Sequence, residues 1–491
     1  MKRKAVFPLA PSRRLSRALP LALPLALPLA LGACVAGPPV EIAAPPPEIP
    51  ASFAFAPDAE TGADVAGLLP VGDPAFAQLA NIALAEAPTL GEAAARIEAA
   101  RAAAGRAGAN RLPSLGANAA VTATRTNPAQ FGGALPPGIS IDTQQVSYGA
   151  NLVASWDPDI FGRLRAQERA AVARIGASTA EAQGVRLALL AEIAGGVIDW
   201  RTLAARQAEL ESDLASATRL VSLAASRERA GIAPGFDRVR AESAAEASRS
   251  RIAALASERA RIAGRLVTLT AQPAQTILDL LAQSAPEIAQ PAAPATLPSA
   301  LLANRPDILA AAARLDASDA ELYAASAARF PQFTLSAALG LLAFDLGDLF
   351  DDDAIVGNAS AGLLAPIFDF GRIEAGIDAA EADKRLAFQS YRRAVFTALG
   401  DAETGYGLVA AADRELAAAT REAASAQRAA SLAQTRFSAG LSNFLEVLEA
   451  RRAADASGER VAAARGRAMR ARVLLWQALG GDGFSPASPA L

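Results

Sequence analysis

The chain has 491 residues, 52% of them hydrophobic but only 5% aromatic, with alanine the main apolar contributor. That is the composition of long helices rather than of a dense globular core. A net charge of -3 gives no electrostatic ground for nucleic acid as a partner. The absence of histidine removes Ser-His-Asp and Cys-His chemistry and the commonest transition-metal ligand, and a single cysteine makes neither a disulfide nor a zinc cluster. No enzyme, cofactor or metal centre is expected.

The N-terminus reads as an address. Lys2, Arg3, Lys4, Arg13, Arg14 and Arg17 form a basic stretch. Ala18 to Ala30 is apolar for roughly a dozen residues, too short to span a bilayer. Leu31-Gly32-Ala33-Cys34 follows directly. Small residues before a cysteine suit a signal peptidase that needs a narrow side chain on each side of its cut, and the pattern resembles the lipobox of bacterial lipoproteins. Residues 1–33 are therefore expected to be a signal peptide, and Cys34 the lipid attachment site. Val35 stands where an aspartate is associated with inner-membrane retention, so sorting to the outer membrane is implied. Residues 34–75, rich in Pro and Ala as far as Pro57, read as a lipidated N-terminal tether.

The rest of the chain is a duplication. Phe161-Gly162-Arg163 recurs 209 residues later as Phe370-Gly371-Arg372, and the segment from Arg227 to Gly231 recurs at the same offset from Arg436 to Gly440. Upstream the offset is 218: Pro88 and Arg96 match Pro306 and Arg314, and Pro113 matches Pro331. The first copy is thus longer between its proline and its Phe-Gly-Arg, where an external loop tolerates extra residues. The boundaries read as a first repeat over 76–284, a linker over 285–304, a second repeat over 305–480 and a tail over 481–491.

Each repeat reads helix, strand, strand, long helix, helix. Leu115 to Ala123 and Val146 to Trp156 alternate apolar residues with Gly, Ser, Thr, Asn and Gln, as do Phe333 to Leu341 and Ala359 to Ala365 in the second copy. These segments are about the length of membrane-spanning strands, with external loops expected over Arg125–Thr143 and Ala343–Val356. Asp159 to Arg227 has no proline after its first residues and Gly371 to Ser438 has none, so each predicts a helix on the order of 100 Å long. Four spanning strands cannot close a barrel, and an open edge in lipid is prohibitive. Three chains, each with two repeats, give a twelve-stranded barrel with six-fold pseudo-symmetry; a dimeric eight-stranded barrel leaves little lumen.

Six segments in order, SWDPDIFGR (Ser155 to Arg163), LPSALLANRPD (Leu297 to Asp307), FPQFTLSAALG (Phe330 to Gly340), PIFDFGR (Pro366 to Arg372), RFSAGLSNFLEVLEA (Arg436 to Ala450) and WQALGG (Trp476 to Gly481), resemble the TolC/OprM family of outer-membrane efflux channels, in its NodT-like lipoprotein branch. The resemblance implies an α+β membrane protein. Its expected form is a homotrimer whose twelve-stranded outer-membrane β-barrel continues into a long periplasmic α-helical barrel. It also implies the exit duct of a tripartite efflux pump for small molecules, with a periplasmic adaptor and an inner-membrane pump, commonly of the resistance-nodulation-division type, as partners.

The family's helix tips, which dock the adaptor, match Arg227, Gly231, Arg436 and Gly440 here; Gly231 and Gly440 can take the positive φ of a sharp turn. Its acidic aperture matches Glu446 and Glu449, with Asp237 in the other repeat. Phe437 and Ser442 replace the tyrosine and arginine of the TolC tip, so a TolC-like latch is not implied. Asp348, Asp351, Asp352 and Asp353 lack the spacing of a calcium loop and read as a solvated external loop. Two other functions fit parts of the sequence: the channel of a type I protein secretion system, and a structural coiled-coil envelope lipoprotein. The latter explains the helices but not the strands.

Overall fold

A computed structural model describes residues 48–57, 65–127, 144–284, 290–296 and 298–481. The expected signal peptide over residues 1–33 and the expected lipid site Cys34 lie outside the described residues, as do most of the loop before residue 144 and the tail after Gly481. The described chain divides into two compact units. One holds Gly105–Ala170 and Ser318–Arg385; the other holds Ala171–Ala317, the segment from Leu386 onward and the described residues up to Ala104.

The first unit is a four-stranded antiparallel sheet in the order β1 (Ser114–Arg125), β2 (Gln144–Trp156), β3 (Gln332–Ala343) and β4 (Ile355–Leu364). Its register joins the alternation of the four strands into two faces. Val121 opposes Tyr148, Leu152 opposes Leu339, and Leu335 opposes Ala361, so most of the large apolar residues of the four strands share one face, while Val153, Leu342, Val356 and Leu364 fall on the other. Asn118, Ser147, Thr334 and Ser360 lie on the other face. Leu115, Leu152, Leu339 and Leu363 are exposed in the single chain. Among the described residues no helix is long and apolar enough to cross a membrane.

The duplication is visible at the level of register. Ser114 pairs with Ser155 in the first hairpin, and Gln332 with Leu364 in the second; these are the same pair after offsets of 218 and 209. An arginine before each hairpin, Arg111 and Arg329, pairs with Glu168 and Glu374 respectively, near the start of the helix that follows. β4 begins at Ile355, earlier than Ala359, because Ile355 and Val356 continue the ladder opposite Leu341 and Gly340. The loop before it is correspondingly shorter than expected. It folds into two 3₁₀ turns, Leu346–Phe350 and Asp352–Ala354, and Asp348, Asp351, Asp352 and Asp353 are exposed there.

The helices, in chain order, are α1 (Pro74–Glu86), α2 (Pro88–Ala109), α3 (Arg163–Arg229), α4 (Gly235–Thr270), α5 (Ala274–Leu281), α6 (Leu301–Asn304), α7 (Pro306–Ser326), α8 (Arg372–Ser438) and α9 (Phe444–Ala478). α3 and α8 each run for 67 residues. Such lengths follow from sequences rich in Ala, Arg, Glu and Leu, which lose little side-chain entropy in a helix.

The second unit buries its largest core around Phe76, Leu79, Ile193, Tyr406, Leu475 and Trp476. Segments expected to be tether or linker are fastened to it. Phe53 is buried with its ring 5.4 Å from that of Tyr406, while the Glu403 carboxylate accepts the backbone N–H groups of Ala54 and Phe55. Tyr406 donates to the Pro294 carbonyl at 2.8 Å, and Arg472 to that of Pro291 at 2.8 Å. Arg305 donates to the Ala478 carbonyl and to the carboxylates of Asp307 and Asp401, all within 3.0 Å. Burial pushes the Asp307 carboxyl up, but the bonds from Arg305 outweigh it and hold Asp307 below its ordinary range.

Candidate functional site

The two helix–turn–helix tips lie in the second unit and are built alike. α3 ends in a turn in which Gly231 N–H donates to the Glu228 carbonyl at 2.9 Å and Ile232 N–H to that of Arg227 at 3.1 Å. α8 ends with Gly440 N–H donating to Phe437 at 3.0 Å and Leu441 N–H to Arg436 at 2.8 Å. This paired 5→2 and 6→1 bonding requires a left-handed residue at the turn, supplied by Gly231 at φ +72 and Gly440 at φ +75. Pro234 then stops the first turn at the N-cap of α4, whereas in the second Asn443 caps α9, its side chain accepting the Glu446 N–H at 2.9 Å.

The tips meet through a small core of Leu220, Ala224, Ala241, Phe437, Phe444 and Val447. Arg227 lies over the Phe437 ring at 4.8 Å, and Phe437 meets Phe444 edge to face at 6.0 Å. The structure therefore brings Arg227 of one tip onto the last turn of the other, beside Arg436. Arg436 reaches back to the Leu441 carbonyl at 3.4 Å. Beyond this core the tips present apolar side chains to solvent, with Ile232 66% and Leu441 69% exposed.

Asp237 and Glu446 occupy the same position, third in the first turn of α4 and of α9, where the helix N-terminus favours a negative charge. Glu446 and Glu449 are exposed and three residues apart, so they share one face of α9. The equivalent of Glu449 in the first repeat is Arg240, which lies over the Phe236 ring at 4.6 Å. The acidic pair is thus a property of the second tip alone.

The tip core could have been found in the sequence, since Phe444, Val447 and Leu448 are spaced as one buried helix face. A second feature had no local signal. Asp213 on α3, 3% exposed, faces Asp455 on α9. Its Oδ2 accepts no hydrogen bond; Arg251 stands 4.0 Å away, and Arg451 pairs with Asp455 at 2.9 Å. Burial first, then the neighbouring Asp455, pushes the Asp213 carboxyl up to about 7. The pair borders a groove of about 880 Å³ lined by α3, α8 and α9.

The profile described as outer membrane efflux protein matches residues 79–272 and 297–481. The pyoverdine export outer membrane protein OpmQ of Pseudomonas aeruginosa is 33% identical over 411 residues, 84% of this chain and 86% of that one. The toluene efflux pump outer membrane protein TtgF of Pseudomonas putida is 30% identical over 413 residues, 83% and 84% of the two chains. Among solved structures, the outer-membrane channel OprN superposes with a TM-score of 0.82 at 27% identity, over 91% of this chain and 99% of that one. VceC from Vibrio cholerae superposes with 0.75 at 26% identity, over 83% and 96%. The four strands are one protomer's share of a trimeric twelve-stranded outer-membrane barrel, and the long helices its share of the α-barrel. The chain belongs to the outer membrane efflux protein family and forms the exit duct of an efflux pump.

Proposed function

We propose that this duct carries small organic molecules, is anchored by a lipid on Cys34, and joins a periplasmic adaptor at its two tips and, through it, an inner-membrane pump of the resistance-nodulation-division type. It is a conduit without catalysis. The carrying observation for adaptor docking is the pair of equivalent tips, each a sharp glycine turn with an exposed apolar side chain, Ile232 or Leu441, beside basic residues. Two such tips per protomer present six quasi-equivalent sites in a trimer, a repeating surface suited to a ring of adaptor subunits. Small-molecule cargo rests on the relatives, whose names record pyoverdine export and toluene efflux. On this reading Glu446 and Glu449 line the aperture of the tube, which their exposure on one face of α9 just after the second tip supports.

The test is dye and solvent accumulation in cells that lack their own channel but keep adaptor and pump. Expression of this chain should restore extrusion, and Ile232→Asp with Leu441→Asp should abolish it while leaving the trimer and its bilayer conductance intact. Extrusion unaffected by both substitutions refutes docking at the tips. Mass spectrometry of the mature N-terminus should find an acylated Cys34; an unmodified terminus elsewhere refutes the anchor.

A further inference from the structure

The sheet order leaves β1 and β4 with one open edge each. In lipid an open edge strands a row of backbone groups, so a second copy of the chain must cover it. The duplication holds a template for that seam, because β2 meets β3 inside the chain at a junction between repeats. β2 corresponds to β4 at an offset of 209, and β3 to β1 at 218. The same two offsets already convert the register of the first hairpin into that of the second. They are therefore structural equivalences and not only sequence matches.

Within the chain Leu152 opposes Leu339, Asn151 opposes Gly340 and Ala150 opposes Leu341. Moving each β2 residue forward by 209 and each β3 residue back by 218 gives Ala361 with Val121, Ser360 with Thr122 and Ala359 with Ala123. We propose that β4 of one protomer pairs antiparallel with β1 of its partner in this register, and that Phe370 packs on its partner's Leu112. The inference rests on the trimeric barrel described above.

Two observations support the register independently. A one-residue error in either offset would turn apolar residues against polar ones across the seam. The transferred register instead sets Ala361 and Val121 on the apolar face and Ser360 and Thr122 on the polar one, continuing both faces unbroken. Below the internal seam, Phe161 stacks on Phe330 at 4.8 Å and both rings are half-buried. Their equivalents at the chain's outer edges are Phe370 and Leu112, 89% and 66% exposed. Each edge carries one half of an apolar contact that the internal seam shows complete.

Slips of two residues preserve the faces, so the test must resolve them. Directly opposed residues have Cα atoms about 4.5–5.5 Å apart, within disulfide reach, whereas diagonal ones lie about 7–8 Å apart. Ser360→Cys is combined in turn with Thr122→Cys, Ala120→Cys and Thr124→Cys, with each single variant as a control for Cys34. The purified trimers are oxidised with copper phenanthroline and run unreduced after boiling. The pair at 360 and 122 should give the covalent trimer with a yield several-fold above the other two. A higher yield at 120 or 124 overturns the register, as does no cross-link at any of the three in protein that still migrates as a heat-dissociable trimer. Wild-type protein that never runs as a trimer overturns the barrel itself, and the register with it.

Discussion

Glu415 on α8 lies 2.6 Å from Arg467 on α9, at the positions where the first repeat sets Arg206 on α3 at 3.6 Å from Glu258 on α4. The two pairs are the same contact 209 residues apart with the charges exchanged. A second duplicated pair keeps its signs: Asp213 with Arg251 at 4.0 Å, and Glu422 with Arg460 at 2.5 Å. What the duplication preserves at the first position is complementarity across a helix pair, not residue identity.

Exchanging the charges should therefore be tolerated. Glu415→Arg or Arg467→Glu alone should cost no more than about 1 kcal/mol, as for exposed ion pairs, and the double reversal should recover most of it. Arg206→Glu should cost more, because Arg206 also holds Glu459 on α9 at 2.8 Å. Thermal dissociation of the purified trimers reads both effects, and a double reversal no better than either single change rules the pairing out.

Asp213 should make the helix packing sensitive to pH. Its folded pKa, about 7, exceeds the ordinary value of 3.8, so the folded state holds the proton more tightly than the unfolded one. Stability is then greatest below the ordinary carboxylate range, declines as pH rises between those two values, and levels off above about 7. Asp213→Asn removes the titration while keeping the shape. Melting of the mutant should change less than wild type between acid and neutral pH; equal slopes would show that Asp213 is solvated and ordinary.

The two faces of the sheet should differ in their tolerance of charge. Leu335→Arg or Leu152→Arg, on the apolar face, should cost about 2–4 kcal/mol at the bilayer midplane. Thr334→Arg, one residue away on the polar face, should assemble nearly normally. Yield of folded trimer in the outer membrane decides the matter, and equal losses on both faces would remove the lipid-facing assignment.

Glu446 and Glu449 should set ion preference. With the proposed place of both residues at the aperture, three copies of each in a trimer should give two acidic rings, which favour cations over anions. Replacing both by Ala should lower cation selectivity in planar bilayers and weaken block by divalent cations. Unchanged selectivity would leave Glu446 only its place at the helix N-terminus, and Glu449 an exposed position on the same face.

The sequence by itself determined the periodic features. Alternation fixed the faces of Leu115 to Ala123 and of Phe333 to Leu341, because a strand has a period of two and an error of one residue inverts it. The lack of proline fixed α3 and α8, and the recurring Gly231 and Gly440 fixed their ends, since only a left-handed turn satisfies those carbonyls. These are local rules with a distinctive residue at each step. Tertiary structure alone decided the contacts between distant segments. Nothing near Asp213 announces Asp455, and nothing near Phe53 announces Tyr406 or Glu403. The same holds for the Arg305 clamp and for the seating of Arg227 on Phe437. Such contacts are chosen by which helix faces meet, and an alanine-rich helix offers many nearly equivalent faces. Only the packing of four helices around one another selects among them.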